Sequence, residues 1–164
     1  MTDAHDALPS DGEGASDEQG PGTDDGRGAL RMGAVLFDGG EPHAAHEVFE
    51  ERWLAAKRTG RRAEAAWWQG LVLCAGAVHH ARRGNAKGAS ALGARAARRL
   101  AACLEEADAE TDTETGATPE RPWWRAAAAR WLAAWRATDL DAVRAGAAGP
   151  PRLGALLDGT DAGT

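Results

Sequence analysis

The chain has 164 residues, a length typical of one domain, and a formal net charge of -6. Its basic residues are spread among acids and alanines and form no single block, so nucleic acid is not expected as a partner. The longest nearly pure apolar stretch, residues 71–78, is far shorter than the roughly 20 residues that cross a bilayer. We therefore expect a protein that is not embedded in a membrane.

The two cysteines, Cys74 and Cys103, are not part of a C-x-x-C motif. The N-terminal segment is acidic and lacks the apolar region of a secretory signal. Both features favour a reducing compartment, so we expect a cytoplasmic protein.

Composition divides the chain into three parts. Residues 1–28 are rich in Gly, Pro, Ser and Asp with almost no large apolar side chains, which predicts a disordered acidic tail. Residues 29–148 lack an alternating strand pattern, which predicts an all-α fold, a compact helical bundle of about five helices. Residues 149–164 are broken by prolines and glycines and are predicted to form an irregular C-terminal tail laid over the domain.

The predicted helices follow one another with short breaks. A short first helix begins at Ala29 and ends at Gly39-Gly40. Pro42 suits the first turn of a second helix, which runs to a turn at Thr59-Gly60. A third helix, at about 63–83, carries small residues that allow close approach of a neighbour, and we expect it to be central and most buried.

Gly84 and Asn85 read as a helix-ending glycine followed by an N-cap, so a fourth helix from residue 86 should pair antiparallel with the third. Residues 107–121 are polar and acidic and predict a solvated loop. A fifth helix is predicted to start at Pro122. Its one-sided tryptophans, Trp124, Trp131 and Trp135, are expected in the core.

The segment "HAAHEVFEERW", residues 43–53, is the strongest functional signal. His46, Glu50 and Trp53 share one stripe of the second helix, whereas Glu47 lies about 100° away. On the third helix, Gln69 and His80 lie about 20° off one line, but they are about 16 Å apart along the axis and cannot both bind one ion within one chain.

Two interpretations of these residues stay open. In the first, His46, Glu50 and His80 bind a divalent metal, and Glu47 or Glu50 is the general base that activates water. Three further residues would surround the metal ligands without binding the metal themselves: Trp53, Gln69 and Asn85. The sequence H-E-x-x-E does not match the H-E-x-x-H of zinc proteases, and the metal is not identified.

In the second interpretation, His46 and Glu50 form a buried hydrogen-bonded pair that fixes helix register, or the helices hold a small molecule or a partner. In this interpretation His80 lies near the C-terminus of a helix, where its side chain interacts favourably with the helix dipole. Asn85 is a helix cap, and Cys74 is a core residue.

The same residues resemble domain of unknown function family 309, a family of small all-helical bacterial and archaeal proteins. Its pattern is roughly F-N-x-G-x-x-x-x-A-H-E-x-W-E-x-x-W, then Q-G-L-x-x-x-A, then H-x-x-x-x-G-N-x-x-G-A. The matching positions in this sequence are Phe37, Gly39, His46, Glu47, Glu50, Trp53, Gln69, Gly70, His80, Gly84, Asn85, Gly88 and Ala89. Asp38 stands where Asn is common in the family, and Phe49 where Trp is common.

The resemblance implies a compact helical bundle. Members of the family are sometimes described as metal-dependent hydrolases, so the resemblance also implies that activity. Two hypotheses are carried forward: such a hydrolase acting on an unidentified substrate, and a non-enzymatic helical module that binds a small molecule or a protein. The Trp-rich fifth helix, or the small-residue face of the third, would serve a homo-oligomer.

Overall fold

A computed structural model describes residues 26–111 and 121–157 of the chain. Its helices are α1 (Arg27–Asp38), α2 (Pro42–Arg58), α3 (Arg62–Arg82), α4 (Ala86–Thr111), α5 (Arg125–Arg136) and the short α6 (Leu140–Arg144), followed by a 3-10 turn at Gly154–Leu156. No strand occurs among the described residues, which confirms the all-α prediction. None of the described helices is both long and apolar enough to cross a membrane.

Three glycines set the directions of the first four helices. Gly40, Gly60 and Gly84 have positive φ angles of 90°, 71° and 78°, a conformation that costs glycine little. At the last of these turns, the N–H of Asn85 donates to the carbonyl of His80 at 2.9 Å, which satisfies a helix-end acceptor. These tight turns fold consecutive helices back on one another.

The central helix of the bundle is α3, as predicted, and it packs against α2 on one side and α4 on the other. Its Trp67 is fully buried and stacks on Trp124, with ring centroids 6.1 Å apart. Trp131 is also fully buried and meets Phe37 edge to face at 5.7 Å. Together with the buried Trp135, these contacts confirm that the one-sided tryptophans lie in the core.

The predicted boundaries differ from the observed ones at three places. Helix α1 begins at Arg27, inside the predicted tail. Helix α4 continues to Thr111, so the predicted loop loses its first residues to that helix. Helix α5 begins at Arg125 and not at Pro122, because residues 122–125 first make a turn closed by a hydrogen bond from Arg125 N to Pro122 O at 3.0 Å.

Parts of the predicted tails and loop fall at 1–25, 112–120 and 158–164, outside the described residues. The described portion of the C-terminal segment packs on α1. There the two carboxylate oxygens of Asp38 accept hydrogen bonds from the backbone N–H groups of Leu153 and Gly154, each at 2.8 Å. Leu153 is buried beside them. The acidic residue at position 38 therefore ties the end of the described chain to its first helix.

Candidate functional site

Helices α2 and α3 face each other in one antiparallel register. The rings of His43 and His79 are 5.3 Å apart, and a Cβ placed on Gly76 would lie 4.0 Å from Cδ2 of His46. Trp53 and Gln69 line the same cavity. The step from His43 to His46 on α2 matches the step of three residues back from His79 to Gly76 on α3. The step of seven residues from His46 to Trp53 likewise matches the step back from Gly76 to Gln69. The two polar stripes that the sequence predicts therefore do face each other.

The stripe of His46, Glu50 and Trp53 is not the buried face of α2. That face is formed by Ala45, Phe49 and Ala56, each at most 1 % exposed. The three stripe residues are half-buried beside it. They lie beside a row of partly exposed α3 residues that is flanked on its other side by α4.

We call this surface between α2 and α4 the motif groove. Its α2 wall consists of His46, Glu50 and Trp53, its α3 floor of Gln69, Leu73, Gly76 and His80, and its α4 wall of Leu92 and Arg99. The α4 wall is close: a Cβ on Gly76 would lie 3.2 Å from Cδ1 of Leu92. Most of the family-pattern positions with polar side chains lie along this one groove.

His46 and Glu50 do not form the buried hydrogen-bonded pair of the second interpretation. Nδ1 of His46 is buried and has no hydrogen-bond partner, and no bond joins it to Glu50 in the part of the chain that the structure describes. A buried polar atom without a partner is uncommon in folded proteins. The groove thus contains a buried histidine nitrogen whose hydrogen-bonding capacity is unused.

The three residues assigned as metal ligands are not brought together. In the observed register Glu50 lies opposite Val72, and His80 is eight residues further on, about 12 Å along the axis. Among the described residues no group of three or more His, Cys, Asp or Glu side chains could hold a metal ion. The assignment of His46, Glu50 and His80 to one metal remains a prediction without a complete ligand set.

Glu47, the other candidate general base, faces away from the groove. Its side chain is 70 % exposed, and Oε1 lies 3.9 Å from Nε2 of the exposed His43. Of the two candidate bases, only Glu50 shares the groove with His46.

Four histidines gather at the end of the bundle where α2 begins and α3 ends. His43 lies between His46, at a centroid distance of 6.2 Å, and His79, which in turn lies 6.0 Å from His80. Partial burial, followed by the positive fields of His43 and Arg83, lowers the pKa of His79 below its ordinary value of 6.5. This cluster depends on the register between two helices, so the sequence pattern alone does not predict it.

Asn85 is the N-cap of α4, as one interpretation predicts. Its Oδ1 accepts from the N–H of Gly88 at 2.9 Å, and its Nδ2 lies 3.0 Å from Nδ1 of His80. A Cβ on Gly88 would lie only 2.6 Å from Nδ2 of Asn85, so glycine leaves room for the capping side chain. The G-N-x-x-G part of the pattern is accounted for by this turn.

A cavity of about 370 Å³ opens at the opposite end of the motif groove. Trp53 and Gln69 form part of its wall, together with Arg99 and Glu106. Nε of Arg99 donates to Oε1 of Gln69 at 2.5 Å, and Oε2 of Glu106 is buried with no hydrogen-bond partner. Neither α4 residue was among the candidates predicted from the sequence, although Leu92, Arg99 and Glu106 follow one another at intervals of seven, which places all three on one face of a helix.

The fold and this groove define an all-helical bundle whose distinctive polar residues lie between its second, third and fourth helices. Residues 30–92 match the family model described as "Domain of unknown function (DUF309)". This match confirms the resemblance over that segment of the chain. No curated protein and no solved structure gives a significant match to the chain.

Proposed function

We propose that this domain binds a small molecule at the Trp53 end of the motif groove. The observation that carries the proposal is the cavity of about 370 Å³ whose wall includes the family-pattern residues Trp53 and Gln69. Sites for small molecules are concave and have volumes of about 300–1,000 Å³, with polar groups that fix orientation. Here Trp53 is the main apolar surface, and the rest of the lining is mainly polar, with Gln69, Arg99 and Glu106 among its polar groups.

Two polar atoms along the groove support binding. Oε2 of Glu106 in the cavity wall and Nδ1 of His46 further along the groove are both buried without partners. Leaving a buried polar atom without a hydrogen bond costs about 1–3 kcal/mol. A ligand that donates to Glu106 would offset part of that cost, and a longer one would reach Glu50 and His46.

The test is a fragment screen by ligand-observed NMR, repeated on two matched variants. Ala65 is buried in the cavity wall, so Ala65→Leu fills the cavity, whereas Ala94 is exposed and lines a separate cavity between α4 and α5. We expect fragments that bind the parent protein and Ala94→Leu but not Ala65→Leu. Melting temperatures show whether each variant is folded. Fragments that bind the folded Ala65→Leu variant as well as the parent would refute the proposal.

Metal-dependent hydrolysis is a second candidate, favoured by the unpartnered Nδ1 of His46. A metal binds an imidazole nitrogen that carries no proton and is not committed elsewhere. His46 and Glu50 would supply two ligands on one stripe, and the remaining ligands would come from outside the described residues of this chain.

Elemental analysis of untagged protein, prepared without chelator, tests this candidate. Near-stoichiometric metal in the parent protein, lost in folded His46→Ala and Glu50→Ala variants, would support a metal site and justify a screen for hydrolase activity. Metal content that is negligible, or unchanged in both variants, would eliminate it.

A further inference from the structure

The cavity at the Trp53 end of the motif groove has a positive wall in a negatively charged chain. Lys57, Arg61, Arg62 and Arg99 line it, against the single carboxylate of Glu106. The formal net charge of the whole chain is -6. The local excess of positive charge is therefore a property of this cavity and does not follow from the overall composition.

Two of the cations are exposed and make no ion pair in the described part of the chain. They are Lys57, near the end of α2, and Arg62, the first residue of α3. Arg62 can turn towards an anion at the cavity mouth, and Lys57 can do so by leaving its cation–π contact with the Trp53 ring.

Arg99 is held in place from the floor of the groove. Oε1 of Gln69 accepts from its Nε at 2.5 Å, and its Nη1 lies 3.8 Å from Oε1 of Glu106. A guanidinium fixed at Nε still presents its outer N–H groups, which suit the paired oxygens of a carboxylate or phosphate. Gln69 is thus a positioning residue for Arg99.

Arg61 is already engaged on the α3 side of the cavity. Its Nη1 lies 2.6 Å from Oε2 of Glu64, and its Nε donates to Oγ1 of Thr59 at 3.0 Å. It adds positive charge to the wall but is less available for a direct contact than Lys57 and Arg62.

Trp53 adds a flat apolar surface to this charged wall. Its ring is half-buried, and Nζ of Lys57 lies over the ring, 5.1 Å from its centroid, in a cation–π contact. A planar ligand that replaces the ammonium on this face of the indole would place its acidic group beside the displaced ammonium. A cavity of about 370 Å³ accommodates a molecule with one ring and one acidic group.

We infer that the cavity takes a small flat anion, an aromatic or similarly planar carboxylate or phosphate. Its ring packs on Trp53 and its acidic group meets Lys57, Arg62 and Arg99. This inference rests on the proposed function, since it assigns the chemistry of the ligand in the same cavity.

Titration of the full chain with phenyl phosphate, followed by NMR signals of the tryptophan indole N–H groups and arginine Nε–H groups, tests the inference. Benzyl alcohol is the uncharged control ligand. We expect the Lys57→Gln/Arg62→Gln double variant to bind phenyl phosphate about fivefold more weakly or worse, because each exposed cation contributes modestly. Both side chains are exposed, so the fold should survive.

The matched control variant is Arg82→Gln/Arg83→Gln, which removes the same charge at the other end of α3, where both residues are exposed. It should bind phenyl phosphate as the parent does. Equal weakening in both double variants, or no detectable binding of phenyl phosphate to the parent, would overturn the inference.

Benzyl alcohol separates this inference from the proposed function. If it binds the cavity as tightly as phenyl phosphate, the assignment of an anionic ligand is wrong while the cavity remains a ligand site. If phenyl phosphate binds the folded Ala65→Leu variant as tightly as the parent, the site of binding is elsewhere and the proposed function fails together with the inference.

Discussion

Replacing Gly70 by alanine tests whether the glycine of the Q-G pattern is there for helix packing. A Cβ at this position would lie 2.5 Å from Cδ2 and 2.7 Å from Cγ of Leu100 on α4, whereas carbon atoms in contact are about 3.5–4.0 Å apart. Leu100 is fully buried, so it cannot swing into solvent. Either α4 moves away by roughly 1 Å or Leu100 leaves its preferred rotamer.

Two opposing effects set the expected change in the free energy of unfolding. Overpacking costs about 1–3 kcal/mol, and replacing glycine by alanine inside a helix returns about 0.5–1 kcal/mol. We expect Gly70→Ala to destabilise the protein by about 0.5–2 kcal/mol in urea denaturation followed by tryptophan fluorescence. Gly28→Ala is the matched control, because a Cβ at this helical position meets no atom within 4 Å. That variant should be neutral or slightly stabilised.

A double-mutant cycle with Leu100→Ala identifies the atoms responsible. Truncating Leu100 alone should cost about 2–5 kcal/mol, but in that background Gly70→Ala should no longer be destabilising, since the clashing Cγ and Cδ2 atoms are gone. If Gly70→Ala is as stable as Gly28→Ala, or if its cost is unchanged in the Leu100→Ala background, the packing argument is wrong.

Three further predictions concern the helix cap, the histidine cluster and the cysteines. Asn85→Ala should lower the free energy of unfolding by about 1 kcal/mol, because the N–H of Gly88 loses its acceptor; an unchanged urea midpoint would contradict this. Since the pKa of His79 is lowered in the folded state, the unfolded chain binds more protons below pH 6.5; stability should therefore fall as the pH drops from there, and His79→Gln should flatten the fall in pH-dependent melting temperatures. Burial raises the pKa of both thiols, that of Cys103 to about 12, so an aromatic disulfide reagent should modify Cys74 and Cys103 only as fast as the protein unfolds; rapid reaction under native conditions would contradict their burial.

Local patterns were sufficient to predict the five longer helices and the turns between the first four, but not the short α6. The glycines after α1, α2 and α3 and the cap at Asn85 act through bonds a few residues apart, so they can be read directly from sequence. The half-buried stripe of His46, Glu50 and Trp53 was also visible, because the helical period alone determines which residues share a face.

What the sequence could not give is the rotation and register of one helix against another. The cavity depends on Arg99 and Glu106 of α4 meeting Gln69 and Trp53, and a shift of one residue in α4 would turn those side chains about 100° away. The single-metal hypothesis assigned His46, Glu50 and His80 to one ion because each lies on the polar stripe of α2 or of α3. Their axial separation became visible only once Gly76 was placed opposite His46.

The stacking of Trp67 on Trp124 and the contact of Phe37 with Trp131 bear on how much of the chain makes an independent unit. The family match ends at residue 92, seven residues into α4, and both covering tryptophans lie beyond it. A fragment that ends at residue 92 would expose the side chains of Phe37 and Trp67, and it would remove most of α4, the helix that packs against α3. For expression, for truncation studies and for comparison with shorter homologues, the smallest autonomous unit therefore extends well past the family segment, through α5 at least.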